Sequence, residues 1–263
     1  MNRQHLLDIA VTAASRAGTI LLDGFSQTKS VTYKGGTHNI VTQYDLASEH
    51  AIIETIKEVF PNHTFLAEES GASSNNDTDS NVRWIIDPLD GTVNYAHGIP
   101  IFSVSIAAEY NGIIEAGVIY QPITNEMFKA THGSGAYLND TLISVSNCPD
   151  LKSSILVTGF PYDVETNPEH TVEYFSRIVN MGIPVRRLGS AAIDMAYVAA
   201  GRFDGFWEIG LKPWDVAAGI VLIEEAGGTV TTYANAPYRL DSTSILCTNS
   251  IVHNEFVSFL QSV

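Results

Sequence analysis

Residues 84–94 read WIIDPLDGTVN, an apolar run at Trp84, Ile85 and Ile86 that leads directly into two aspartates three positions apart. A core strand that ends in paired carboxylates must end where something meets their charge, because burying unpaired charge is costly. Pro88 fixes its own φ and biases Asp87 towards an extended conformation, so the chain turns sharply after the strand. Asp87 and Asp90 then face one point in space, with the Leu89 carbonyl between them. Gly91 permits close backbone approach, and the Gly91 and Thr92 amides open a helix whose N-terminus suits an anion. Two carboxylates about 4 Å apart repel by about 4 kcal/mol at an effective dielectric near 20. Without a cation, one of them is driven to take up a proton. Oxygen-only ligands suit Mg²⁺ or Mn²⁺, which keep several waters and bridge to a substrate phosphate. From spacing alone, the same carboxylates serve equally well as caps of a turn and a short helix.

The chain has 263 residues, enough for a sizeable core and for either one large domain or two intimately joined ones, read as a single compact unit. Its 14 basic and 29 acidic residues give a net charge of −15. Such a surface repels nucleic acid and anionic membranes, so neither is an expected partner. An anionic substrate needs local help from a cation or a helix terminus. Cys148 and Cys247 stand far apart in no metal-binding spacing, as expected of two reduced thiols in a cytoplasmic protein. Near the N-terminus, Leu6, Leu7, Ala10, Ala14, Ala17, Leu21 and Phe25 recur at helical spacing, interrupted by Asp8, Arg16 and Asp23. That pattern is an amphipathic helix rather than a signal peptide or a membrane span.

Further on, YKGGTHN reads as a loop, and TQYD as a capping box with Thr42 at the N-cap and Asp45 at the third helical position. Leu46, Ile53, Ile56 and Phe60 carry that second helix as far as Pro61. TFLAEES is a short strand, and residues 70–81 are a polar loop. Asn111-Gly112 joins two β-rich runs, 102–110 and 113–121, as a hairpin, with a third strand near Glu126–Ala130. HGSGAYLND lacks a dinucleotide fingerprint and reads as tight turns. The second half alternates: strands at SSILVTGF, VRRLG, FDGFWE, GTVTTYA and SILCTNS, and helices at 168–181, SAAIDMAYVAAG, PWDVAAGIVLIEEAGG and from near Ile251. Stacked layers of sheet and helix are expected, an α+β fold.

Several chemistries are excluded. Phosphatases of the haloacid dehalogenase type end a strand in Asp-x-Asp-Gly-Thr and attack with the first aspartate; here the spacing is one residue longer, which turns Asp87 out of that register. No Gly-x-Ser-x-Gly elbow, His-Glu-x-x-His or P-loop is present.

WIIDPLDGTVN together with PWDVAAGIVLIEEAGG resembles the two signatures of the inositol monophosphatase family. NIVTQYD, AEES, GSAAID and FWEIGLKPWD follow in the family's order, so the likeness covers nearly the whole chain. The resemblance implies a layered α-β-α-β-α sandwich, a metal-binding half over about 1–145 and a substrate-side half over about 146–263. It implies Mg²⁺-dependent hydrolysis of phosphate monoesters, inhibition by Li⁺, and a homodimer. Carried over, it makes Glu68, Asp87, the Leu89 carbonyl, Asp90 and Asp215 metal ligands, with Glu69 an alternative to Glu68. Thr92 and Asp45 orient the attacking water, assisted by Glu68, and the Gly91 and Thr92 amides hold phosphate. Gly189, Ser190, Ala191 and Glu208, beside Asp90 and Asp215, line the alcohol side of the substrate. GSAA is equally suited to close helix packing, and Asp215 to a helix N-terminus.

Departures from the family pattern are Asn39, where many relatives have aspartate, and Ala67, where many have glycine. Lys34 matches a family lysine able to offset acidic charge, although a solvated loop lysine is the commoner explanation for such a residue. The expected substrate is inositol 1-phosphate or a similar small sugar-alcohol phosphate. Fructose 1,6-bisphosphate, nucleotide 3′-phosphates and NADP are the alternatives on the same scaffold. Arg186 and Arg187 suit a second phosphate, a subunit contact or salt bridges. A reading of another class is a non-catalytic partner of the transcription machinery, since fold does not fix role.

Overall fold

Helical spacing at the N-terminus becomes α1 (Arg3–Phe25), which buries Leu6, Leu7, Ala10, Ala14, Ala17 and Leu21 in the core. This helix is long and apolar enough to cross a membrane, but its apolar face lies against a sheet. The computed structural model describes residues 2–35, 39–73 and 81–262.

After α1 come β1 (Val31–Gly35), β2 (Asn39–Thr42), α2 (Gln43–Lys57), β3 (Thr64–Ala67), β4 (Gly71–Ala72), β5 (Val82–Asp90) and α3 (Thr92–Ala96). The meander β6 (Ser103–Tyr110), β7 (Ile113–Gln121), β8 (Glu126–Thr131), β9 (Ala136–Leu138) and β10 (Thr141–Ile143) follows. The second half holds β11 (Leu156–Thr158), α4 (Thr171–Asn180), β12 (Val185–Arg186), α5 (Ala191–Ala199) and β13 (Gly205–Ile209). It closes with α6 (Pro213–Glu225), β14 (Thr229–Thr231), β15 (Ser244–Thr248) and α7 (His253–Leu260).

An eight-stranded sheet runs β10-β9-β8-β7-β6-β5-β3-β4, and a five-stranded sheet runs β12-β11-β13-β15-β14. Strand alternation assigns each side chain to a layer. Trp84 and Ile86 of β5 join α1 and α2, while Ile85 joins α5 and α6. Val157, Phe206, Ile245 and Cys247 of the second sheet cover the other side of α5 and α6. Leu156, Trp207 and Leu246 meet α4 and α7 on the far face. The result is five layers, helix, sheet, helix, sheet, helix.

Asn111 and Gly112 both have positive φ (52° and 84°), the turn that matches strand twist in a two-residue hairpin. Within HGSG, the Gly133 and Gly135 amides donate to Glu225 at 2.6 and 2.7 Å, so that loop is anchored to the end of α6. Both cysteines are free thiols.

Four sequence expectations need correction. YKGGTHN is not simply a loop, since β1 and β2 pair across it as a hairpin. Gly71 and Ala72 pair with β3, whereas residues 74–80 of the polar loop lie outside the described residues. The 168–181 helix starts at Thr171, because Glu169 and His170 hold positive φ. In α2 the buried stripe is Asp45, Ser48, Glu49, Ile52, Thr55 and Ile56, and Leu46 is 55% exposed. The cap explains this last shift: Asp45 is turned inward to accept from the Thr42 N–H at 2.8 Å, and positions three, four, seven and eleven residues later follow it into the core.

Candidate active site

The sheet does not stop at Ile86. Pairing with β6 continues to Asp87 opposite Ser105 and resumes at Asp90 opposite Ser103, so the sharp turn expected at Pro88 is a bulge within the ladder. Bulges re-aim side chains, and this one turns Asp87, Leu89 and Asp90 out of simple alternation. Asp87 Oδ1 accepts from the Leu89 N–H at 3.0 Å, and Ser48 Oγ donates to the Pro88 carbonyl at 2.7 Å. Gly91, at φ 92°, caps the start of the short helix α3. A Cβ there would stand 3.1 Å from the Ile101 carbonyl oxygen and 3.2 Å from that of Gly189.

Asp90 reaches the second half of the chain. Its Oδ2 accepts from Ser190 Oγ at 2.6 Å and from the Ala192 N–H at 2.7 Å, at the N-terminus of α5. The Asn94 amide donates to the carbonyls of Ile101 and Leu188, both at 2.8 Å, and ties α3 to the same segment. Thr92 Oγ lies 2.9 Å from Asp45 Oδ1 and 3.0 Å from the Leu89 carbonyl, two acceptors for one hydroxyl proton. Burial raises the Asp45 carboxyl above its ordinary range, against hydrogen bonds from Thr42 and Thr92 that lower it.

Asp215 sits in the first turn of α6, where its Oδ2 accepts from the Lys212 N–H at 2.6 Å. Its separation from Asp87 along the chain is closed by the fold. Burial, then the charges of Glu68, Asp90 and Asp215, push Asp87 well above the usual carboxylate range. Burial and the neighbouring carboxylates hold Asp215 at about 8, against the Lys212 hydrogen bond. Asp90 rises to about 6, burial outweighing the Ser190 and Ala192 hydrogen bonds.

Among the described residues, no three His, Cys, Asp or Glu side chains form a group ready to hold a metal ion. The four carboxylates share a field rather than a finished coordination shell. Still, the donor set is hard oxygen throughout, and its shared repulsion favours a divalent cation of the Mg²⁺ or Mn²⁺ kind. Lys34 already responds to it: its Nζ lies 2.9 Å from Glu68 Oε1 and 2.6 Å from Glu69 Oε1. Burial opposes that ammonium charge, but hydrogen bonds and charge from Glu69 and Glu68 hold the lysine above its ordinary value. Glu69 is further pinned through its N–H, which donates to the buried Glu49 at 2.9 Å. Ala67 is fully buried in β3, and Asn39 pairs with Gly35 where β1 and β2 meet.

The residues expected to line the alcohol side are Gly189 (φ 84°), the N-cap Ser190, Ala191 and, from β13, Glu208. Glu208 is buried, and burial first, then Asp215 and Asp90, raise it to about 8. The Gly159 amide is a hydrogen-bond donor to it. Arg186 and Arg187 are exposed; the Arg187 charge acts on Glu208 and Asp194.

Sequence reading gave no role to Ser48, Glu49, Asn94, Gly159 or Asp194. Asn94 lay in the motif itself, and Ser48 shares a helix face with Asp45; nothing in the sequence marked the others. Asp194 is 1% exposed, and its Oδ1 has no hydrogen-bond partner among the described residues. Burial, then Glu208 and Asp90, push its carboxyl well up. A raised folded-state value means that this group favours folding only while protonated, so its contribution is lost as pH rises from about 4. Asp194→Asn is therefore expected to stabilise the protein at pH 8 by about 1 kcal/mol, read as a Tm rise of a few degrees. A lower Tm in the variant at pH 8 would contradict this.

A model of the inositol monophosphatase family matches residues 2–262. The chain is 41% identical over 257 residues to the "Nus factor SuhB" of Pasteurella multocida, covering 97% of this chain and 96% of that one. It is 42% identical over 252 residues to the "Inositol-1-monophosphatase" of Synechocystis sp., covering 96% and 87%. The crystal structure of the extragenic suppressor protein suhB from Bartonella henselae superposes with a TM-score of 0.92 at 38% identity, covering 98% of each chain.

Proposed function

The chain belongs to the inositol monophosphatase family, and on that premise we propose that it hydrolyses small phosphate monoesters, myo-inositol 1-phosphate foremost. The observation that carries the reading is the common field of Glu68, Asp87, Asp90 and Asp215, drawn from three separate stretches of chain. Those carboxylates, with the Leu89 carbonyl, are the residues that would hold Mg²⁺ or Mn²⁺. When bound, the ion lowers the pKa of a coordinated water and neutralises charge on the phosphate and on the leaving oxygen.

The chain's own residues do the rest. Thr92 Oγ, donating to Asp45, keeps a lone pair free to accept from the attacking water and orients it, while Asp45 draws the proton away through that hydroxyl. The Gly91 and Thr92 amides receive phosphate oxygens. Glu208 and the Gly189–Ala191 segment bind hydroxyls of the alcohol. Asp87 Oδ1 is turned back to the Leu89 N–H, which supports attack by water rather than by the aspartate. The reading carries with it Li⁺ inhibition, a homodimer and a cytoplasmic location.

Phosphate release from inositol 1-phosphate and from fructose 1,6-bisphosphate, each with Mg²⁺ and with excess chelator, tests this. Release that is undiminished by chelator would overturn it; faster turnover of the bisphosphate would reassign the substrate and give Arg186 and Arg187 the second phosphate. The alcohol side has its own test. A Cβ at position 159 would land on the Glu208 carboxylate, so Gly159→Ala is expected to raise KM for inositol 1-phosphate about tenfold, the loss of one good contact. An unchanged KM would remove Glu208 from the alcohol side.

The name "Nus factor" among relatives supports a second reading, a role with the transcription machinery. With a net charge of −15, contact through a protein partner suits the chain better than direct nucleic-acid binding.

A further inference from the structure

Two backbone carbonyls from different halves of the chain converge on one side chain. The Ile101 carbonyl lies just before β6, and the Leu188 carbonyl just before the Ser190 cap of α5. Both accept from the Asn94 side-chain amide at 2.8 Å, and the Gly189 carbonyl lies 3.4 Å from the same nitrogen. Among the described residues no other hydrogen bond reaches the Ile101 or the Leu188 carbonyl. Carbonyl oxygens that converge need a donor between them, and a primary amide carries two N–H groups on one nitrogen. Serine carries one proton and an aspartate none, so among side chains this short only asparagine makes both bonds.

The bonded segments are also packed against one another. A Cβ at Gly189, where φ is 84°, would stand 3.0 Å from Asn94 Nδ2 and 3.2 Å from its Oδ1. One at Gly91 would stand 3.1 Å from the Ile101 carbonyl oxygen and 3.2 Å from that of Gly189. The glycine that opens α3 and the glycine that precedes α5 therefore meet with no room for a side chain, and Asn94 fastens them. These glycines begin the two stretches that the phosphatase reading gives to opposite ends of the substrate, Gly91 and Thr92 to the phosphate and Gly189–Ala191 to the alcohol. A second link joins the same stretches, from Ser190 Oγ and the Ala192 N–H to Asp90. That link relies on a carboxylate also wanted by a cation, whereas the Asn94 link depends on no ionised group.

We propose that Asn94 is a positioning residue that sets the span between the phosphate end and the alcohol end of the site, and thereby the fit of the alcohol. This rests on the phosphatase reading above and deepens it. Asn94 acts on the substrate only through the Leu188–Gly189 backbone. An ester whose alcohol is held at that segment feels the loss of the amide, because small misplacements of a bound group are costly. An ester that engages only the phosphate end feels it less.

The test compares wild type, Asn94→Ala and Asn94→Asp, with Mg²⁺, on inositol 1-phosphate and on p-nitrophenyl phosphate, whose leaving group has no hydroxyl to bind. In both variants the ratio of kcat/KM for inositol 1-phosphate over p-nitrophenyl phosphate is expected to fall about tenfold, equivalent to 1.4 kcal/mol. The fall should come through KM for the polyol ester. Asn94→Asp keeps the side-chain shape and removes the donors, so it reads the same ratio if Asn94→Ala does not fold. A ratio that stays at the wild-type value, whether both esters slow together or neither does, overturns the proposal. So does a ratio lowered in Asn94→Ala but intact in Asn94→Asp, which would assign the effect to packing alone. Failure of both variants to fold would make the amide a requirement of folding and overturn its separate role. Wild type that cleaves p-nitrophenyl phosphate but no polyol phosphate overturns the polyol substrate and the Asn94 role, and leaves the phosphatase reading standing. Wild type that cleaves neither ester overturns the phosphatase reading itself, and the Asn94 role with it.

Discussion

Asp90→Asn is expected to lower kcat for phosphate release by about a hundredfold or more, the scale seen when one preorganised charge-stabilising group is lost. The substitution is chosen for what it keeps. An asparagine oxygen can still accept from Ser190 Oγ and the Ala192 N–H, the two bonds that join Asp90 to α5. What disappears is a negative charge beside Asp87 and Asp215. Fold and activity should therefore separate: the variant's Tm in chelator should equal or exceed that of wild type, because one member of a repelling set is gone. A variant that retains more than about a tenth of wild-type kcat would remove Asp90 from the reaction. The same variant divides the two proposed roles. If cells carrying only Asp90→Asn lose the cellular function together with hydrolysis, the enzyme accounts for it; if the function survives, the chain serves as a partner.

Removing divalent cations should make stability depend on pH in a range where ordinary carboxylates no longer titrate. Asp90 and Asp215 are held at about 6 and about 8 in the folded chain, against about 3.9 unfolded. Between those values the folded state binds more protons than the unfolded one, so stability falls as pH rises. The support from the neutral acids is complete below about pH 4 and gone above about pH 8. In chelator, Tm is expected to decline steadily from pH 6 to pH 8.5. Glu208, held at about 8 first by burial, adds to that slope, and a cation at Asp90 and Asp215 would ease only the smaller share that comes from their charges. On the proposed reading Mg²⁺ would bind the ionised carboxylates, so its benefit would grow across the same range. At a hundred times its Kd it supplies about 2.7 kcal/mol, roughly 5–10 °C in a chain of this size. Thermal melts with and without Mg²⁺ at three pH values read this directly. Coincident melts at pH 8.5 would rule out a cation site, and Asp87→Ala should erase the shift.

Local rules recovered the elements whose signals are local. The Asn111-Gly112 hairpin, the Thr42–Asp45 cap and the Pro213 start of α6 each depend on residues within one turn of one another. The corrected elements depend on context. Gly71 and Ala72 become a strand only because β3 lies beside them, and Leu46 points outward only because Asp45 points inward. The candidate site shows the same division. Asp87 and Asp90 were visible as a pair in one motif, whereas Glu68 and Asp215 needed the family likeness to join them. The bond from Asp90 to Ser190 spans the two halves of the chain, and no periodicity could announce it. Gly159 and Asp194 were silent for a simpler reason: a glycine after a strand and an aspartate in a helix are unremarkable until Glu208 stands between them.

Helix α6 lies between the two sheets with almost no clearance. A methyl group at Gly117 would stand 2.6 Å from Val221, and one at Gly219 would stand 2.7 Å from Met195. The first turn of that helix bears Asp215. If Asp215 holds the proposed cation, interior fit and ion affinity are geared to the same rod, so a slight displacement deep inside the protein would weaken cation capture well before the molecule melts. Variants screened for lost catalysis should then turn up at small residues remote from any charge.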